Sequence, residues 1–496
     1  MNNFLKIFLF SLFFFLLNSL QLHSLFPQLI SDFKVNDDLT SYPHFRPKVG
    51  ADDSGNFILV WQDERFTTST IFNKTIFCQR YNKQGLPLGV NFRLTKNLDT
   101  ASTPDISVKD NGSFIICWTD RSNSEISVRL FDSNADPVSP KITVSESNFS
   151  NTIPAISSDQ KGNFVIAWEN YSDTTGDGVY YQRFDSIGTK IEHNENVSDQ
   201  AQVSRKRYPD IVSKRDGSFI ICWQDNRLDG IEYDIYMQMF NSIGERIGNN
   251  TLVNEEIFIT QEAPKISSDS SGNFCITWND QRFFASTFCQ FYDRNGQKLG
   301  NNILVSNNEL PTVISSKPNG DIAIGMGRGL PSNMQRIRND RTLIGSSFSI
   351  SNQAPSSWKI QSGLTIRNNR IINAWQDNRN GHFDIYCNVL SYSNPDSTVS
   401  INNLSSEIPD QFKLWQNYPN PFNPKTKIAF QILKPALVIV KVYNILGKEI
   451  ENLVNKKLSA GKYEVEFSSK DLSSGTYYYK MITENYSETK KMTIIK

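Results

Sequence analysis

A fifteen-residue frame recurs along this chain and limits what it can fold into more than any other feature. Pro is followed by Gly eight residues on and by Trp six after that, in Pro47/Gly55/Trp61, Pro104/Gly112/Trp118, Pro154/Gly162/Trp168, Pro209/Gly217/Trp223 and Pro264/Gly272/Trp278. Phe stands four before each Trp, at Phe57, Phe114, Phe164, Phe219 and Phe274. A sixth copy begins at Pro311 and places Gly325 where Trp is expected, and a seventh has lost the Pro but keeps Ala374-Trp375-Gln376-Asp377. Chance does not produce such a run, so the chain is an array of one unit.

Within each copy the apolar pattern has period two. Phe57, Leu59 and Trp61 face one side of a strand, Ile58 and Val60 the other, and both sides are apolar. A strand of that kind is covered on both faces by neighbouring sheets. The Gly before it supplies a tight turn from a preceding strand. A second alternating stretch follows (Ile76–Tyr81, Ile126–Phe131, Val179–Phe184, Ile235–Phe240, Thr287–Tyr292, Ile385–Leu390), then a turn such as Asp185-Ser186-Ile187-Gly188 and a short outer stretch such as Thr251-Leu252-Val253. Four strands in about 50 residues is the content of a propeller blade. The expected architecture is all-β, a seven-bladed β-propeller of four-stranded blades resembling no specific propeller family, over residues 27–392. The last copy stops after its third strand, and Asp32–Asn36 precedes the first Pro as an outer strand would. That N-terminal strand is expected to close the last blade, removing the open edges that a solenoid or a pair of sandwiches would leave.

The charges balance, with 51 Lys+Arg against 51 Asp+Glu, which excludes the basic footprint of a nucleic-acid binder. Residues 1–24 read as a signal peptide: Lys6 precedes an apolar run, Ile7–Leu17, shorter than the roughly 20 residues of a spanning helix. No later stretch is apolar and long enough to span, so the expected chain is secreted or held on the outer-membrane surface.

Asp two after Trp and Arg four after it recur as Asp63/Arg65, Asp225/Arg227, Asp280/Arg282 and Asp377/Arg379, with Asp120/Arg121 as a shifted copy and Asn170 replacing Asp in the third. These residues form a candidate ligand rim, since arginines there would suit carboxylated or sulfated sugars. A ligand site needs an asymmetric set, however, and a feature repeated once per blade reads first as a tie across each loop. Asp159–Phe164 and Asp269–Phe274 resemble the Asp-box turn of sialidase-like propellers but space Asp and Gly differently. No catalytic carboxylate pair stands out. The cysteines fall in apolar slots of the frame: Cys117 and Cys222 in that of Val60, and Cys78, Cys289 and Cys387 in that of Tyr181. Cys275 and Cys289 lie on neighbouring strands of one blade. His44, His193 and His382 read as isolated, and Asp173 with Asp177 lacks a calcium-loop pattern. No metal ligand set, cofactor motif or catalytic residue is expected.

Residues 393–410 read as a linker. Beyond it Thr426–Leu433, Leu437–Tyr443, Lys462–Phe467, Thr476–Met481 and Lys490–Ile495 read as strands of a small Ig-like β-sandwich. Leu414-Trp415-Gln416-Asn417-Tyr418-Pro419-Asn420-Pro421-Phe422-Asn423-Pro424, Val442–Lys448, Ala460–Tyr463, Leu472–Tyr477 and the closing Lys491–Lys496 resemble the C-terminal sorting domain (type A) of the bacterial type IX secretion system. The resemblance implies that residues 411–496 engage that machinery and that the chain is exported across the outer membrane. For the propeller the leading expectation is a non-catalytic binding or scaffold module with a glycan or protein ligand. The alternatives are a sialidase-like glycan hydrolase and a purely structural envelope component.

Overall fold

The computed structural model describes residues 28–67, 73–95, 100–146, 150–171, 177–198, 204–257, 259–283, 285–329, 332–351, 356–392, 402–405, 409–445, 447, 449–469, 472–484 and 486–495. The expected signal peptide, Asp173 and most of the expected linker lie outside them. The chain divides into two compact units, one of which is Gln28–Tyr392. Among the described residues the regular structure is all-β apart from a three-residue 3-10 turn, Gln281–Phe283.

Each of the first six repeats folds into an antiparallel sheet whose strands lie side by side in chain order. The first sheet comprises His44–Ala51, Phe57–Asp63, Thr75–Tyr81 and Phe92–Arg93, and the same four-stranded order recurs in the sheets beginning at Ala101, Ser150, Lys206, Gln261 and Pro311. The second strand is buried throughout, because its two faces serve two cores. Phe57, Leu59 and Trp61 pack with Ile372 and Ala374 of the last repeat sheet, whereas Ile58 and Val60 pack with Ile106 and Phe114 of the second. The six repeat tryptophans are at most 2 % exposed. Each large apolar side chain so buried contributes about 1.5–3 kcal/mol. The first strands touch one another in sequence, and Lys359–Arg367 touches His44–Ala51.

The repeated Pro marks a bulge. Register slips between Phe45 and Lys48, with Arg46 at a φ of 54°, and the same slip recurs around Thr103, Ile153, Tyr208 and Ala263 at φ 50–52°. Pro lacks an N–H, so it costs the ladder nothing at a position that makes no bond. The sixth copy departs from this frame. Its turn glycine, Gly320, comes nine residues after Pro311, and Pro311 pairs with Met326. Met326, fully buried, therefore takes the Trp slot, one residue later than the expected Gly325. Gly325 stays without a side chain because a Cβ there would run into the Gln361 amide.

The last repeat sheet joins the two ends of the repeat array. Gln28–Lys34 pairs with Asp384–Ser391, Phe33 opposite Cys387, outside Arg370–Asp377 and Lys359–Arg367. Beyond that strand Val35 N–H still donates to Ile385 O at 2.8 Å. All six cysteines are buried free thiols. In register Cys289 faces Thr277, and Cys275 faces Phe291, so the two cysteines of that sheet sit diagonally.

In the C-terminal part, two four-stranded sheets hold one apolar core that includes Leu414, Phe430, Val440, Val465, Tyr479 and Met492. The five expected strands are present as Lys425–Ile432, Ala436–Asn444, Gly461–Ser468, Gly475–Thr483 and Tyr486–Ile494. Three more join them: Lys413–Leu414, Glu449–Leu458, and Asn402–Ser405 from the expected linker, which pairs with Gly461–Ser468. Glu449–Leu458 escapes sequence reading because register shifts against Ala436–Asn444 break its alternation.

Candidate functional site

The expected rim residues pair with each other. Arg65 Nε and Nη2 donate to the two Asp63 oxygens at 2.9 and 2.8 Å, and Arg282 does the same to Asp280 at 2.8 and 2.7 Å. Arg227 and Arg379 each place Nε and Nη2 on one oxygen of Asp225 and Asp377, at 2.8 and 2.6 Å and at 3.0 and 2.5 Å. The same Asp accepts the indole N–H of its Trp, at 2.9 Å for Trp61 and 3.2 Å for Trp223. The guanidinium lies over the aromatic ring opposite that Trp on the third strand, 4.0 Å from Phe77, 4.2 Å from Tyr236 and Phe288, and 3.9 Å from Tyr386. Burial pushes the Asp377 carboxyl up, but Arg379, Ser357 and Trp375 outweigh it and hold the group below the usual range. In the second sheet the one-residue shift undoes this arrangement: Arg121 bonds Ser102, Lys141 Nζ takes its place 2.7 Å from Asp120, and the Trp118 indole N–H has no partner.

His44 is not isolated. Its Nδ1 lies 3.1 Å from Phe383 O, and its Nε2 lies 3.0 Å from Asp38 and 3.3 Å from Asp63. The three side chains could each offer a ligand atom to a cation. Their charge is already met, because Arg65 Nη2 stands 2.8 Å from Asp63 and 3.5 Å from Asp38. Register also speaks for an organic cation: the slot of His44, opposite the loop Asp, is filled by Lys206 and Lys359 in other sheets. Burial pushes the imidazole pKa down, yet Asp38 and Asp63 outweigh it and raise it to about 9.

Glu169 is the one acid among the residues that follow the repeat tryptophans. Gln376 and Gln224, in the same slot, accept the bulge amides of Arg46 and Ala263 in the next sheet at 3.0 and 2.8 Å. Glu169 accepts that of Tyr208 at 2.6 Å, and its other oxygen is buried without a partner. Burial raises its pKa to about 7, against the Tyr208 bond. A protonated carboxyl there imitates the glutamine amide of the other sheets.

Sequence reasoning missed a second charged set, on the first strands. Lys48, Asp105, Ala155, Asp210, Lys265, Val313 and Gly363 share one register position. Lys48 stands 3.6 Å from Asp105, and Lys265 4.0 Å from Asp210. Burial pushes Lys48 down, but Asp105 and Asp210 outweigh it and hold it above the ordinary lysine range; burial also holds Asp210 up. The signal was available, since in five copies this is the residue directly after Pro, and it is Lys or Asp in four of them. Further along the same strands, the turns into the second strands surround a bowl of about 650 Å³. Its walls carry Lys109, Lys161, Lys214, Arg215 and Arg367 against Asp110 and Asp159.

No helix among the described residues is long and apolar enough to cross a membrane. No curated protein matches this sequence. Among solved structures, a polysaccharide lyase of family PL25, an ulvan lyase, is similar over 72% of this chain and 95% of its own, at 10% identity and a TM-score of 0.47. The GH93 alpha-L-arabinofuranosidase of Fusarium graminearum is similar over 73% and 97%, at 10% identity and 0.44. PorZ, a surface component of the type-IX secretion system of Porphyromonas gingivalis, is similar over 88% of this chain and 58% of its own, at 12% and 0.38. The C-terminal part carries the firmer likeness: residues 416–496 match the family model of the secretion system C-terminal sorting domain.

Proposed function

We propose that this chain is a binding module delivered to the cell surface: a seven-bladed β-propeller closed by its N-terminal strand, exported through a type IX secretion system by residues 411–496, and binding a glycan or protein without catalysis. The bowl at the turns between first and second strands carries this reading. It is concave, asymmetric around the array and lined by converging polar and charged groups able to hold an anionic or hydroxyl-rich ligand, whereas the charges of the loop rim are engaged with each other. Both carboxylates of the bowl also have partners, Asp110 with Arg367 at 3.4 Å and Asp159 with Asn163 at 2.9 Å. In the bowl this favours binding over the two-carboxylate chemistry of glycoside hydrolysis. Glu169 has the pKa of a general acid, but it is only 1% exposed and fills a glutamine slot.

Two experiments test the reading. Deleting Leu414–Lys496 is expected to strand the protein in the periplasm, and unchanged surface display of the truncated chain overturns the sorting role. On a glycan array, the purified chain is expected to retain ligand without cleaving it. Cleavage would make it an enzyme, and silence together with failure to bind surface proteins would leave an envelope component.

A further inference from the structure

We propose that the bowl holds the acidic groups of a polyanionic polysaccharide, sulfate esters or uronate carboxylates. This deepens the binding-module reading and rests on it. The cavity of about 650 Å³ falls within the roughly 300–1,000 Å³ typical of ligand sites. Its five cations exceed its two carboxylates by three, and by two once Asp53, 3.6 Å from Arg367, is counted, in a chain whose formal charge is +0. That excess is local. Just beyond it along the first strands, Lys48 and Lys265 are matched by Asp105 and Asp210, and at the loop rim each Arg is matched by its Asp.

The individual cations differ in how free they are. Lys109 and Lys214 reach backbone carbonyls, Ser186 O at 3.5 Å and Arg294 O at 2.8 Å. Burial holds both ammonium groups below their ordinary pKa, so an arriving anion would relieve a desolvated charge. Lys161 and Arg215 are exposed, and no hydrogen bond or ion pair engages either side chain among the described residues. Ser213 Oγ, on the wall beside them, is buried without a partner. A planar guanidinium, an unengaged ammonium and an orphan hydroxyl around one concavity fit a sulfate or carboxylate on a hydroxyl-rich chain. Nucleic acid fits less well, because no aromatic side chain lines the bowl for bases to stack on.

The test uses the purified full chain with three probes: dextran sulfate, polygalacturonate and neutral dextran. At least one polyanion is expected to bind, more weakly as salt rises, while dextran does not. Comparison of the two polyanions tells sulfate from carboxylate. The double variant Lys161→Glu/Arg215→Glu should lower affinity by about tenfold or more, since it reverses two charges inside the cavity. Lys83→Glu/Arg341→Glu makes the same change in net charge on turns between third and fourth strands and should stay within about twofold. Unchanged melting of both variants confirms their folding. Equal loss in the two variants, no polyanion binding at low salt, or equal affinity for duplex DNA overturns the inference. If the array instead yields a neutral glycan whose binding survives Lys161→Glu/Arg215→Glu, the polyanion assignment falls and the binding-module reading stands.

Discussion

Two seams between neighbouring sheets solve the same problem with different chemistry. Where the third sheet meets the fourth, the chain runs through from one to the other, and the contact has an apolar centre: Val165, Ala167 and Tyr181 pack on Ile211, Phe219 and Trp223, with the Glu169–Tyr208 bond as a stitch and partly exposed polar bonds at the edge, among them Arg207 to Asp177 at 2.8 Å and Arg246 to Val197 O at 2.8 Å. Where the last sheet meets the first, the two ends of the repeat array meet. The equivalent stitch from Gln376 to Arg46 is kept, but polar groups surround it. Lys34 pairs with Asp384 at 3.0 Å, Asn36 bonds both Asp384 and the Ile385 amide, and His44 sits between Asp38 and Asp63. Directional bonds specify which strand closes the ring, a choice that apolar packing alone leaves open and that covalent connection makes at every other seam. Removing one partner of an ion pair buried in this way is costly, because it leaves the other charge buried and uncompensated.

The most severe way to break this comparison is to remove the closing strand. Deleting residues 28–38 takes away the pairing with Asp384–Ser391, the buried Val35 and the Asn36 bonds. Each backbone bond contributes only about 0.5–1.5 kcal/mol, but the summed loss should exceed about 5 kcal/mol once the exposed edge is counted. A collapsed thermal transition with aggregation is expected. Truncation after Tyr392, which removes a unit with its own core, should leave the melting of Gln28–Tyr392 within about 2 °C. Equal tolerance of both truncations would mean that closure does not depend on this strand.

His44 sharpens the comparison at the level of one group. Its pKa in the folded chain, about 9, exceeds the ordinary 6.5. The stabilisation from its positive charge is therefore complete below pH 6.5 and fades as pH rises through 9. His44→Gln should cost on the order of 3 kcal/mol at pH 6, leaving Asp38 and Asp63 facing each other with only Arg65 between them, and much less at pH 9.5. Urea unfolding at the two pH values measures the difference. A pH-independent cost would place the role of His44 in packing.

Glu169, at the interior seam, has the opposite sign. Its carboxyl pKa rises from 4.5 to about 7 on folding, so ionisation works against the folded state: not at all below pH 4.5, increasingly up to 7, and constantly above. Glu169→Gln keeps the acceptor for Tyr208 and removes that burden. It should stabilise the chain by about 2–3 kcal/mol at pH 8 and leave it nearly unchanged at pH 4.5. A destabilised variant at pH 8 would show that the ionised form is used, and would return Glu169 to consideration as a reacting group.

How far these seams can be read from sequence follows from what each depends on. The doubly buried second strand is legible because Phe57, Leu59 and Trp61 alternate with Ile58 and Val60 over the whole of it. Strand closure is legible from the spacing of Asp32–Asn36 to the first Pro. The His44 cluster is not, since Asp38, Asp63 and Asp384 come together only after the ends pair, and a lone His in sequence says nothing of them. The bowl is hidden for a different reason: Lys161 and Arg215 lie in turns that differ from copy to copy, and attention to the shared frame discards such differences. The Trp slot of the sixth copy lies one residue beyond the spacing of the frame, because a turn can lengthen without disturbing the strands it joins.

The smallest expected effect separates hydrogen bonding from packing in the repeated loop tie. Trp223 and Trp118 are equivalent in the frame and similarly buried, but only Trp223 has an acceptor, Asp225 at 3.2 Å, whereas the Trp118 N–H is unpartnered beside the displaced Arg121. Trp→Phe removes the donor at both sites and leaves comparable space behind, so the packing loss should largely cancel between them. What remains is the bond: at Trp223 a charge-assisted hydrogen bond disappears and one acceptor of Asp225 is left less satisfied, whereas at Trp118 an orphan donor disappears. Trp223→Phe should therefore cost about 1–2 kcal/mol more than Trp118→Phe in parallel urea titrations at pH 7. Equal costs would mean that the aspartate–arginine pair holds the loop without help from the indole, and the tie would then be a two-residue device that the tryptophan only covers.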